Sequence, residues 1–72
     1  MIPFYDSLGR LACTGDPETG LVECWYKKHK TSTVLQVGES FTVEREGIVT
    51  IITRASTYKF TVERRGENIM KT

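Results

Sequence analysis

The chain has 72 residues, 39% of them hydrophobic and 26% charged, with a formal net charge of +1. A domain of this size buries only about 60% of the surface that its unfolded chain exposes, so the core must be small; the mixed composition argues against disorder, and the near-neutral charge selects no partner by itself. No apolar run approaches the ~20 residues that cross a bilayer, and the start of the chain, with Pro3, Asp6 and Arg10, is unlike a secretory leader, which leads us to expect a cytoplasmic protein without a membrane partner.

Residues 1–5 form a short apolar lead-in, and Asp6, Ser7 and Gly9 supply turn chemistry before an expected strand over 10–14. The strongest turn signal is Gly15-Asp16-Pro17-Glu18-Thr19-Gly20, where proline presets φ, aspartate accepts backbone hydrogen bonds and glycine can take positive φ. Residues 21–26 return as a strand. A turn centred on Glu18-Thr19 sets Cys13 opposite Cys24. These two are either small apolar side chains packed in a sheet or, in a non-hydrogen-bonded pair, a bridge. Two cysteines are too few for the disulfide framework of a small secreted domain.

A polar connection is expected over 27–32 and a strand over 33–37, with Leu35 and Val37 on one face. Residues 40–63 then alternate apolar and polar positions in three runs, carrying Phe41 and Val43, Val49 and Ile51, then Tyr58, Phe60 and Val62. Successive strand residues point to opposite faces, so each run offers one apolar face to a core. A three-residue loop over Arg45-Glu46-Gly47 pairs Val43 with Val49 and Phe41 with Ile51, and a short turn at Ala55-Ser56 pairs Ile51 with Phe60. The period is lost after Glu63, which suggests a frayed tail over 64–72. The expected class is therefore all-β, a single small domain of two antiparallel hairpin blocks in a sandwich or open barrel, divided at 1–32 and 33–63 with a three-stranded C-terminal meander.

Residues 5–31, YDSLGRLACTGDPETGLVECWYKKHKT, resemble the zinc ribbons of the phage Mu Com type. That family carries CxxCGxLL, a hairpin with a glycine-bearing turn, and a strand of the form VEIKCPxCKT. Leu8-Gly9-Arg10-Leu11 looks like the first knuckle, Gly20-Leu21-Val22-Glu23 like the return strand and Lys30-Thr31 like the end of the second knuckle. The four ligand positions, however, hold Tyr5, Leu8, Tyr26 and His29. A tetrahedral zinc site needs four nitrogen or sulfur ligands, so the resemblance implies a degenerate ribbon that binds no metal, with Tyr5, Leu8 and Tyr26 gathered as an apolar cluster instead. It also implies a prophage origin and, by analogy, nucleic acid as a partner.

Chemistry is sparse. The single histidine, His29, lies among lysines with no carboxylate or nucleophile tied to it by spacing, and Gly38 and Gly47 are isolated turn glycines. We therefore expect no catalytic residue, no cofactor and no enzymatic activity. The segment holding Trp25, Tyr26, Lys27, Lys28 and Lys30 combines aromatics with positive charge, which suits stacking on unpaired bases and neutralising phosphates of single-stranded nucleic acid. Arg54, Lys59, Arg64 and Arg65 are candidates to extend it. The plainer account is that these lysines only solubilise a loop. A second class of function is a protein partner or homodimer using a sheet edge, whose backbone groups are unpaired; Ile48 and Ile52 fall on the face expected to meet water, and are covered either by the first hairpin block of the same chain, the plainer account, or by a partner.

Overall fold

The computed structural model describes residues 1–26 and 28–66. Seven strands follow in order: β1 Ile2–Tyr5, β2 Leu11–Gly15, β3 Leu21–Tyr26, β4 His29–Val34, β5 Ser40–Arg45, β6 Ile48–Ser56 and β7 Lys59–Arg65. All pairings are antiparallel, and each sheet is a meander, β1-β2-β3-β4 and β5-β6-β7. Phe4, Cys13 and Val22 from the first sheet and Ile52 from the second meet in one buried cluster, which Leu35 joins from the linker. The Cα trace is only 16 Å thick along its shortest axis, enough for two sheets about 10 Å apart and no third layer, so each sheet keeps one face toward solvent.

In the first sheet the β2–β3 turn follows its expected chemistry. The Asp16 carboxylate accepts from the Glu18 amide at 3.0 Å, and the amides of Asp16 and Gly20 donate to the carbonyls of Leu21 and Asp16, both at 2.8 Å. The pairs Thr14 with Glu23 and Gly15 with Val22 share the register that sets Cys13 against Cys24, and both cysteines are free thiols. The expected polar connection over 27–32 is instead a hairpin. Tyr26 faces His29 and Leu21 faces Val34, so β4 begins four residues earlier than the expected strand. Serine and threonine side chains tolerate an exposed edge, where a strand needs no apolar face of its own.

In the second sheet the turn departs from expectation by one residue. Arg45 pairs with Ile48, leaving a two-residue loop in which Glu46 and Gly47 both have positive φ, 56° and 82°. This is the primed turn whose twist matches that of antiparallel strands. A slip of one residue exchanges the faces of a strand. Thr50, Ile52 and Arg54 are therefore the buried positions of β6, while Val49 and Ile51 are only partly covered on the opposite side. Phe41 and Val43 keep their inward place, as do Phe60 and Val62, with Ile52 between Phe41 and Val62. The β6–β7 turn falls at Thr57-Tyr58, which leaves Tyr58 exposed rather than in the row. Arg64 and Arg65 complete β7 opposite Thr50 and Val49 instead of beginning a tail, and the rest of the expected tail, 67–72, lies outside the described residues.

Two arginines fasten the ends. Arg54 donates from Nη1 to the Leu35 carbonyl and from Nη2 to the Thr57 carbonyl, both at 2.8 Å, and so holds the linker and the β6–β7 turn together. Gly20, at φ 84°, lies flat against this guanidinium; a Cβ there would collide with Nη1. At the other end Arg10 bridges Asp6 and Glu46 at 3.0 Å each, joining the β1–β2 turn to the β5–β6 turn.

Candidate nucleic-acid interface

An up-and-down meander sends its first and third connections to the same end of the sheet. The β1–β2 turn and the β3–β4 hairpin are thus at the same end of the first sheet. The expected apolar cluster does not gather there among the described residues. Tyr5 and Leu8 are 45% and 63% exposed rather than gathered into a cluster, and His29 is exposed. No group of three potential ligands exists among the described residues.

Trp25 lies on β3 directly opposite Lys30 on β4 and is 45% exposed. The Lys30 ammonium stands 5.8 Å from the Trp25 ring centroid and 3.1 Å from a Glu23 carboxylate oxygen. That position lets the lysine support the ring by a cation–π contact while sharing its charge with an acid. Lys28 is exposed at the hairpin tip. Lys27 and the side chain of Tyr26 lie outside the described residues. Of the sequence-selected group, the structure therefore brings Trp25, Lys28 and Lys30 to one exposed hairpin.

The wider basic surface does not form. Arg54 is buried and occupied with carbonyls. Lys59 belongs to the β6–β7 hairpin at the far end of the sandwich, Arg64 donates to the Tyr5 carbonyl at 2.6 Å and Arg65 pairs with Glu63 at 2.7 Å. What sequence reasoning missed is apolar. Tyr5 and Leu11 sit opposite one another and both are exposed, as is Val34 opposite Leu21 on the outer edge. Residues 2–5 are apolar throughout, so they carry no alternation, and an unpaired lead-in gives no strand register from which to read a face.

Electrostatics around this end are structural. Burial opposes the charge of Asp6, yet amide donors from Arg10 and Leu8 and the Arg10 side chain prevail and hold its carboxyl below the ordinary value. Burial, with a smaller contribution from Cys24, pushes the Cys13 thiol up to about 12, and burial raises Cys24 as well although Arg45 pulls it back. Neither thiol has the lowered pKa of an activated nucleophile.

Between the sheets at this same end, Cys24, Phe41, Val43, Ile48 and Thr50 line a cleft of about 380 Å³ that Trp25 borders. No helix among the described residues is long and apolar enough to cross a membrane. Comparison with protein-family models, curated proteins and solved structures finds no match for the chain.

Proposed function

We propose that the chain is a non-catalytic binding module of cytoplasmic setting, which engages single-stranded nucleic acid through the β3–β4 hairpin and the adjoining outer face of the first sheet. The observation that carries this reading is the half-exposed Trp25 backed by Lys30, beside Lys28 at the tip. A base can stack on such a ring, while neighbouring ammonium groups meet the phosphates. The Com-type resemblance adds the same partner class by analogy, and with it a prophage origin. Tyr5, exposed at the same end of the sheet, offers a second ring within the same surface.

The decisive experiment is a titration of the full chain with single-stranded RNA and DNA oligonucleotides at several salt concentrations. Binding should weaken steeply with salt, and Trp25→Ala should lower affinity by about 1–3 kcal/mol. An absence of salt-sensitive binding to either polymer removes the proposal. Exposed Leu11 and Val34 favour a second reading, in which the outer face or the β4 edge takes a protein partner or another copy of the chain. Sedimentation showing a monomer at high concentration would eliminate its homodimer form.

A further inference from the structure

Cys13 and Cys24 lie on the inner face of the first sheet, away from the nucleic-acid surface, and the strand register gives them a relation of their own. The Asp16 amide donates to the Leu21 carbonyl at 2.8 Å, so that opposed pair is a hydrogen-bonded one. Opposed pairs alternate in kind along an antiparallel ladder. Gly15–Val22 is then non-hydrogen-bonded, Thr14–Glu23 hydrogen-bonded, and the next position, Cys13 opposite Cys24, non-hydrogen-bonded again. Such a pair brings its Cα atoms to about 4.5 Å, inside the range of ~4.4–6.8 Å over which a disulfide closes. Cys13 belongs to the buried cluster and Cys24 packs against it, so both thiols are on the same side of the sheet.

Their exposures differ. Cys13 is fully buried, whereas Cys24 is half-buried and lines the cleft between the sheets, where Arg45 also stands. One thiol can meet a reagent, and the other can meet only its neighbour. We infer that Cys13 and Cys24 are a reversible dithiol pair, which a low-molecular-weight disulfide oxidises to an intramolecular bridge between β2 and β3. The Cys24 thiolate attacks one sulfur of the reagent, whose S–S bond breaks and releases one thiolate. The Cys13 thiol then gives up its proton and attacks the Cys24 sulfur, expelling the second thiolate. The protein loses two electrons and two protons, and the reagent leaves as two thiols. Burial keeps both cysteines protonated at neutral pH, so closure is slow there and faster in mild alkali. The bridge adds a join where the β2–β3 ladder, Thr14–Glu23 and Gly15–Val22, gives way to the bulge at Ala12.

Oxidised glutathione is the probe, added in excess to the folded full chain at about pH 8, with mass spectrometry and amide NMR as readouts. The product should be a monomer lighter by two hydrogen atoms, its spectrum still dispersed and changed chiefly over Ala12–Thr14 and Glu23–Trp25, and dithiothreitol should restore the original. Cys13→Ala should stop at a mixed disulfide on Cys24, and Cys24→Ala should not react. In the unsubstituted chain, brief iodoacetamide treatment should label Cys24 about tenfold faster than Cys13, which tests the order of reaction even where a variant fails to fold. A chain that stays reduced, links to a second chain, carries glutathione on both cysteines or unfolds on oxidation overturns the pairing. Equal labelling, or faster labelling of Cys13, overturns the order.

Discussion

The two ends of the sandwich are made from the same pair of sheets yet close in opposite ways. At one end Phe4 meets Phe60 edge to face, with ring centroids 5.4 Å apart, over Gly15, and Ile52, Val22 and Leu35 fill the remaining space. At the other, Ala12, Cys24 and Thr31 of the first sheet and Phe41, Val43, Ile48 and Thr50 of the second line a cleft that remains open. Sheets about 10 Å apart need interdigitating large side chains to reach native packing density. Ala12, Cys24 and Thr31 on the first sheet are too short to span that gap alone. Stability and accessible space are thus assigned to different ends, and Arg54 and Arg10 hold each end without filling it.

The largest contrast should appear on truncating matched isoleucines along β6. Ile52→Ala removes a fully buried side chain and should cost about 2–5 kcal/mol in urea unfolding. Ile48→Ala, at the edge of the cleft, should cost about 1 kcal/mol, since less apolar area returns to water. Equal losses would dissolve the distinction between the ends. Gly15→Ala sharpens it from the other side: the added Cβ would stand 2.7 Å from the Phe4 ring. Overpacking of this kind should cost about 1–3 kcal/mol, visible as a lower melting temperature.

Titration gives a smaller separation. Asp6 belongs to the clamped open end and has a folded-state pKa below its usual 3.8, so its contribution is complete above that value and is lost as pH falls through the folded one. Asp6→Asn should therefore flatten the acid side of a stability–pH curve. Cys13 lies in the buried cluster and is raised from 9.0 to about 12, so the stability it contributes is complete below about 9 and declines as pH climbs from there toward 12. Cys13→Ala should flatten the alkaline side alone. The smallest effect expected is that of Thr50→Val in the free protein, neutral or stabilising by up to about 1 kcal/mol, because an unpaired hydroxyl gives way to a methyl of similar shape. A loss above about 2 kcal/mol in chemical unfolding would mean the hydroxyl is satisfied after all.

Legibility in the sequence varied with how much each local signal constrained. Asp16, Pro17 and Gly20 defined a turn by their own backbone chemistry, and the β2–β3 register followed from it. The run Ile48-Val49-Thr50-Ile51-Ile52 did not define a face, because it is apolar on both sides. The preference for all-apolar pairs placed Val49 and Ile51 inside, whereas the two-residue turn at Glu46-Gly47 places Thr50 and Arg54 there. Glutamate at positive φ is uncommon enough that the shorter loop was not anticipated. For the candidate interface, Trp25 and the lysines were visible as residue types, while the occupation of Arg54, Arg64 and Arg65 by other groups depended on partners far away in the chain.

By itself the sequence determined an all-β chain with a C-terminal meander, since period-two alternation and glycine-bearing turns are properties of neighbouring residues. Only the tertiary structure decided which side of β6 is inside, where the arginines are spent and where a cleft stays open. These depend on what one sheet presents to the other across a gap, a quantity that no local stretch of either sheet contains.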